Sequence, residues 1–483
     1  MSAAGNAYEK LELYIDGEWT SGTSGKAEDV INPATQEVLG VLPHASIADL
    51  DRALDAAKRG FETWRRMQAG ERAKILKKAA ELMRANAARI GRICTLEEGK
   101  VLGESIWEVM FTAERLEWLA EEGKRNNGHV LPPTPFGDQR MIVYEPVGPA
   151  LGMSPWNMPC MMPFSKVANA LAAGCSMILK PAEETPGTAV AIVRLFEEAG
   201  VPAGVLNLVF GVPGEVSSHL IASPIIKKVS FTGSVPVGKL LYGQCAPGMK
   251  KMTFELGGHS PVVIFDDADI DQAIAKTVPA KYSNAGQLCI SPTRFYVHDA
   301  IADKFTEAFT ARARALKVGN GLEDGVEMGP MANNRRMEAM ETLISDARDK
   351  GAKVLTGGNR IGNRGFFYEP TVLADVPANA RAMNEEPFGP VALINRWNDL
   401  DEVIEQSNAL PFGLASYAFT RSQANARRIG EALEAGLIGI NTAHVGGPDM
   451  PFGGVKESGV GRESGQEGLK EYYVSKILST TPL

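Results

Sequence analysis

Lys228-Val229-Ser230-Phe231-Thr232-Gly233-Ser234-Val235-Pro236-Val237-Gly238 decides the fold of this chain. Lys228 to Phe231 reads as a short strand, Gly233 as a turn, and Val235 to Gln244 as a helix. Strand, glycine turn and helix start, in that order, form half of a β-α-β unit. Backbone N–H groups at such a turn face an anion, and glycine leaves room for a phosphate to approach. The spacing is not G-x-G-x-x-G, so a tight βα turn without a ligand fits these residues equally well.

The flanking segments repeat the alternation. Met177-Ile178-Leu179-Lys180 reads as a strand, Gly187 to Ala199 as a helix and Val205 to Phe210 as a strand. Lys251 to Glu255 and Pro261 to Phe265 are further strands. Alternation of this kind predicts an α/β fold with a Rossmann-like parallel sheet, a nucleotide-binding architecture. Upstream, Ser46-Ile47-Ala48-Asp49 is a capping-box-like helix start. Apolar residues three and four apart follow from Leu50 to Trp64, from Glu71 to Ile90 and from Gly103 to Lys124, as in helices that cover a core. Beyond Gly257-Gly258, a candidate interdomain turn, a second α/β series begins. Its helices lie near Asp271–Ser283, Ile301–Leu316 and Asn334–Lys350, and its strands near Arg294–His298, Val391–Asn395 and Leu437–Asn441. His129 to Pro146 reads as an extended hairpin and Glu471 to Leu478 as a final strand. Exposed strands must be paired or covered, so both are candidates for subunit contacts.

Composition removes several function classes. The 483 residues are 44% hydrophobic, enough for two or more domains with substantial cores. Net charge is −8, and no run of Lys or Arg offers a phosphate-binding stripe, which excludes nucleic acid as a partner. The start, MSAAGNAYEKLELYIDGEW, has no basic region followed by an apolar run, so no signal peptide is expected. No stretch approaches the ~18–20 apolar residues that span a bilayer. Cys94, Cys160, Cys175, Cys245 and Cys289 contain no CxxC pair, and the six His contain no HExxH. That argues against a disulfide framework and a metal site, and fits a soluble protein of the reduced cytoplasm.

Two reactive groups stand out. Cys289 ends Ser283-Asn284-Ala285-Gly286-Gln287-Leu288-Cys289, and Glu255 sits in Phe254-Glu255-Leu256-Gly257-Gly258. A thiol can attack a carbonyl, and a carboxylate can activate the water that releases the product. A lone Cys is as readily a small buried hydrophobe. In Pro155-Trp156-Asn157-Met158-Pro159-Cys160, the Asn amide can serve a developing oxyanion, or cap the helix that runs on to about Ala173. Lys180-Pro181-Ala182-Glu183 follows a strand end that would face a ligand crevice, or carries two loop charges. Glu385-Glu386-Pro387-Phe388-Gly389-Pro390 and Pro451-Phe452-Gly453-Gly454-Val455-Lys456-Glu457-Ser458-Gly459 are rigid loops of the sort that shape pockets or simply turn the chain.

Taken together and in order, PWN, KPAEETP, FTGSVPVG, FELGG, NAGQLC, EEPFGP and PFGGVKESG resemble the aldehyde dehydrogenase superfamily, from about Leu13 to Leu478. The resemblance implies an NAD(P)-binding domain over 1–123 and 147–257, a catalytic domain over 258–457, and a small β oligomerisation element over 124–146 and 458–483. It implies Cys289 as nucleophile, Glu255 as general base and Asn157 as the side-chain half of an oxyanion hole. Trp156, Lys180, Glu183, Gly233, Ser234, Glu386 and Phe388 would contact the cofactor. A carboxylate at Glu183 accepts ribose hydroxyls and repels a 2′-phosphate, so NAD is expected over NADP. Glu255 favours a hydrolytic enzyme over a CoA-acylating one, and the presence of all three reacting groups disfavours a non-catalytic protein on the same fold. A homo-oligomer, dimer or tetramer, is implied.

Within that superfamily the chain is most similar to the succinate-semialdehyde and oxoglutarate-semialdehyde branch. Many of its members bind the distal carboxylate through Arg eight residues after the oxyanion Asn and six before the nucleophile. Ser165 and Ser283 stand there instead, and two hydroxyls do not replace a guanidinium clamp. Around Asn157 the chain has Met158, Cys160, Met161, Met162 and Phe164, and Met adapts to irregular apolar ligands. The expected pocket is Met158, Met162, Ser165, Ser283, His444 and Phe452, taking an aldehyde uncharged at its far end. A semialdehyde, bound through His444 or a backbone nest, is the alternative. Arg294 is expected to support the fold.

Overall fold

Ser46 caps the helix Ile47–Arg66 by accepting from the Asp49 N–H, and Asp49 answers at the Ser46 backbone, the reciprocal box expected from the sequence. The computed structural model describes residues 8–481. Residues 1–7, part of the segment read as lacking a signal peptide, and 482–483 lie outside it. The helix expected over Glu71 to Ile90 is two, Ala69–Ala85 and Ala87–Glu98. Asn86 separates them, and its side-chain amide donates to the Leu82 carbonyl at 2.9 Å, in competition with the helical ladder.

Five parallel strands form the centre of the first sheet: Leu206–Leu208, Met177–Lys180, Ala150–Met153, Lys228–Gly233 and Lys251–Leu256, in that spatial order. The strand order reverses between Ala150–Met153 and Lys228–Gly233. Ligands of open α/β sheets bind beyond the carboxyl ends of strands at such a switch point. Those ends lead into Pro155-Trp156-Asn157, Lys180, Gly233-Ser234 and Gly257-Gly258, which are the segments singled out above. A second sheet runs Lys353–Thr356, Thr371–Ala374, Val391–Trp397, Pro292–His298, Ser260–Ile264, Ala415–Phe419 and Leu437–Ile440, parallel except for its first pair. Each sheet has its own apolar core.

Tyr473–Thr480 pairs antiparallel with Gln139–Pro146, which pairs with His129–Leu131. The segment 458–472, grouped with that sheet in the sequence reading, goes elsewhere. Gly459–Val460 joins the edge of the first sheet beside Phe254 and Glu255, and Leu469 and Tyr472 are buried in the first core. Among the described residues, no helix is long and apolar enough to cross a membrane.

Candidate active site

The loop that carries Cys289 begins with backbone that resists its own side chains. Asn284 and Ala285 both have positive φ, 49° and 51°, and Gly286 follows at 72°. Left-handed backbone at non-glycine residues costs of order 1–3 kcal/mol each and persists only where the surroundings enforce it. A Cβ on Gly286 would stand 2.2 Å from the Gly389 carbonyl oxygen, so glycine is required there. The surroundings are explicit. Asn284 Nδ2 donates to the Asn157 carbonyl at 2.8 Å, and Asn157 Nδ2 donates to the Gln287 carbonyl at 2.9 Å. The Asn157 loop and the Cys289 loop therefore brace each other.

Beneath them lies a buried ion pair that the sequence reading missed. Lys100 Nζ donates to Glu108 at 2.9 Å and to the Asn157 carbonyl at 2.7 Å. Glu108 in turn accepts the Cys160 and Met161 N–H groups, at 2.8 and 2.7 Å, at the start of the helix Met161–Ala173. One carboxylate thus satisfies the free N–H groups of that helix and anchors the lysine that holds Asn157.

Cys289 is partly exposed and stands where two cavities meet. One is a cleft of ≈ 470 Å³ lined by Trp156, Gly233, Ser234, Glu255, Glu386 and Phe388. The other, of ≈ 140 Å³, is lined by Trp107, Phe111, Arg115, Met158, His444 and Phe452. Asn157, Met162 and Cys289 line both. An outer chamber of ≈ 390 Å³ shares Trp107 and Met158 with the smaller cavity and includes Ser283.

Burial pushes the Cys289 thiol well above its ordinary range, and the Glu386 and Glu255 carboxylates push the same way; backbone N–H groups of Cys289 and Ile290 oppose them. Glu255 is 2% exposed, and among the described residues neither carboxylate oxygen has a hydrogen-bond partner. Burial raises its pKa, the neighbouring Glu463 adds to the rise, and Lys166, Arg462 and Arg115 oppose it. Glu463 is held by Lys166 and by Ser230 Oγ at 2.8 Å. Lys166 also donates to Thr232 at 2.6 Å.

The larger cleft fits a dinucleotide. Gly233-Ser234 opens the helix Val235–Cys245 toward it, and Ser234 makes no side-chain cap there, leaving the first N–H groups for an anion. Glu386 accepts from the Gly258 N–H at 3.0 Å, and burial raises its carboxyl to about 7 against the pull of that N–H, Arg336 and Lys281. A Cβ on Gly257 would lie 2.3 Å from Glu386, so the carboxylate sits where only glycine admits it. Phe388, at φ 46°, packs edge-on to Trp156 with ring centroids 5.6 Å apart. Lys180 and Glu183 pair with each other at 2.6 Å, Glu183 also takes the Gly211 N–H, and neither lines the cleft.

Of the expected pocket residues, Met158, Met162, His444 and Phe452 line the cavity at Cys289, and Ser283 lines the outer chamber. Ser165 does not. It is fully buried within its helix, donates to the Met161 carbonyl at 2.7 Å and receives Arg115 Nη1 at 2.5 Å. Cys160 and Phe164 are core residues. Arg294 binds the His259, Gln406 and Ser407 carbonyls, a structural role as expected. The expectation of an uncharged substrate tail presumed that no guanidinium reaches the pocket; Arg115, from the helix Leu102–Glu122, does. Its signal in the sequence was a charge at four-residue spacing after Trp107 and Phe111. Lys166 and Glu463 are 297 positions apart and left no local sign.

A partly exposed thiol on the wall of a cleft, with an amide and a buried carboxylate on the same wall, is an arrangement that can attack a carbonyl carbon. The chain belongs to the aldehyde dehydrogenase family, whose model matches residues 19–478, and it is an oxidoreductase acting on the aldehyde group with NAD(P). It is 45% identical to a 3-sulfolactaldehyde dehydrogenase of Pseudomonas putida, over 97% of this chain and 96% of that one. It is 42% identical to the NADP(+) succinate-semialdehyde dehydrogenase GabD of Escherichia coli K12, over 97% of each. The crystal structure of an aldehyde dehydrogenase from Brucella melitensis biovar abortus superposes with a TM-score of 0.96 at 42% identity, covering 98% of this chain and 97% of that one.

The electrostatics predict a reluctant thiol. Iodoacetamide should modify Cys289 slowly at pH 7 and faster as pH rises, because the raised pKa leaves little thiolate below it. Glu255→Gln removes a carboxylate that opposes the thiolate and should speed the modification at the upper end of the pH range, where Glu255 is ionised. Mass spectrometry of the alkylated peptide reads both; a rate independent of pH between 7 and 10 would show the thiol to be ionised already.

Proposed function

We propose that this protein oxidises an aldehyde to the free carboxylic acid, with NAD preferred over NADP. The observation that carries it is the convergence of Cys289, Asn157 and Glu255 on the wall of one cleft that also contains Trp156, Gly233, Ser234, Glu386 and Phe388. Cys289 loses its proton to solvent and its sulfur bonds the carbonyl carbon, while the π electrons move onto oxygen. Asn157 Nδ2 exchanges the Gln287 carbonyl for that oxyanion, together with the Cys289 N–H, each donor contributing about 3 kcal/mol. The oxyanion re-forms C=O as the C–H bond breaks, leaving a thioester on Cys289; NAD(P), when bound, would accept the hydride. Glu255 then takes a proton from water; the water oxygen bonds the thioester carbon, the C–S bond breaks, and Glu255 returns the proton to the leaving sulfur as the acid departs. Its two unpartnered oxygens support this role, since an incoming water finds them free.

Glu386 would accept a ribose hydroxyl beside the nicotinamide, and Lys180 and Glu183 would meet the adenosine ribose. The ion pair at the end of Met177–Lys180 supports the NAD preference, because Glu183 is held in place as an acceptor. A CoA-acylating reaction would leave Glu255 without use. Assembly into a homodimer or homotetramer is supported by the outer sheet, where Val130 is 82% and Ile477 68% exposed. The similar enzymes are named for 3-sulfolactaldehyde and succinate semialdehyde, which puts an acid-bearing aldehyde beside the uncharged one as a substrate.

Three measurements bear on this. Glu255→Gln should release about one equivalent of NADH per subunit and then turn over ~10²–10⁴ times more slowly, with Cys289→Ala as the blank; steady turnover at the wild-type rate would remove Glu255 from the hydrolytic step. kcat/KM should favour NAD over NADP at least tenfold, and a clear NADP preference would overturn the assignment to Glu183. Light scattering should show an oligomer that Ile477→Glu dissociates; a monomeric wild type would leave the outer sheet without that role.

A further inference from the structure

The helix Leu102–Glu122 places Trp107, Phe111 and Arg115 four residues apart on the face that lines the smaller cavity at Cys289. Two aromatics suit an apolar passage; a guanidinium does not. Arg115 is 4% exposed. Among the described residues its one hydrogen bond runs from Nη1 to Ser165 Oγ, and its buried Nε has no partner. Its Cζ lies 5.1 Å from the Phe111 ring centroid, a cation–π contact on one face. Glu463, the acid that also lines the cavity, is committed to Lys166 and Ser230. Burial lowers Arg115 to about 10, with Glu463 and Glu255 opposing the fall, so the group is charged at neutral pH.

A buried cation is expensive unless an anion pairs with it. A guanidinium carries five N–H donors in a fork that matches an oxyanion bidentately. Arg115 lines the same cavity as the Cys289 thiol. We infer that Arg115 receives the anionic far end of the substrate, a carboxylate or a sulfonate, while Asn157 and Cys289 hold the aldehyde end. The inference rests on the aldehyde reading above and names the substrate class of that site. Ser165 orients the guanidinium from the neighbouring helix, and Trp107, Phe111, Met158 and Phe452 enclose the short chain between the two ends.

The test compares kcat/KM for succinate semialdehyde, 3-oxopropane-1-sulfonate and butanal in the full-length enzyme. The wild type should favour at least one of the two anionic aldehydes over butanal by 100-fold or more, and the better of them identifies the anion. Arg115→Met should collapse that ratio at least 100-fold, and Arg115→Lys should restore part of it. An unchanged ratio, or an equal loss on all three substrates, overturns the inference, since the second pattern marks a residue that merely supports Glu255. A separate readout needs neither turnover nor a variant. Butyrate or propane-1-sulfonate should slow iodoacetamide modification of wild-type Cys289, and butyramide should not. Protection without oxidation of any aldehyde would keep the anion site and sink the aldehyde reading. Oxidation of butanal with neither anion preference nor protection would do the reverse.

Discussion

The buried pair of Lys100 and Glu108 is the constraint on which the site depends. Neither charge reaches water, and each is used more than once: the lysine grips the Asn157 carbonyl, and the carboxylate caps the helix that begins at Met161. Breaking a buried pair by removing one partner strands the other charge, at a cost of about 3–5 kcal/mol. The local consequence is larger than the energy suggests. Asn157 is the bracket that meets the Cys289 loop on one side and the cofactor cleft on the other. Lys100 and Glu108 stand behind the cleft, yet they help set where the Asn157 amide points.

Around that frame the ionisable groups are kept out of water, each by a different neighbour. Cys289 and Glu255 are both pushed toward their protonated forms by burial and by nearby carboxylates. Glu386 is pushed up to about 7. Among the described residues, Arg115 forms no ion pair beside them. Burying groups that must later ionise raises the cost of charging them, but it also strengthens each hydrogen bond and charge that substrate brings in.

Much of this was legible in the chain, and for physical reasons. Strands, caps and glycine turns write their signals within a few residues, so the β-α-β series, the Ser46 cap and the loops at the carboxyl ends of the strands could be read directly. Glu255, Asn157 and Cys289 were visible because each sits in a stretch with unusual backbone demands. The remainder is set by tertiary proximity. Ser165 was assigned to the pocket by its distance in sequence from Asn157, but the helix turns it into the interior and Arg115 from an adjacent helix occupies the wall instead. Lys166 and Glu463 meet only after the chain has built both large sheets. The return of Gly459–Val460 to the first sheet follows from edge pairing with Phe254 and Glu255, which no local pattern announces.

The position of Cys289 at the junction of two cavities has a further consequence. Its sulfur faces the dinucleotide cleft on one side and the narrower passage on the other, with Asn157 and Met162 shared between them. The two cavities have only those three side chains in common, so whatever fills one bears on the other through Asn157, Met162 and Cys289 alone.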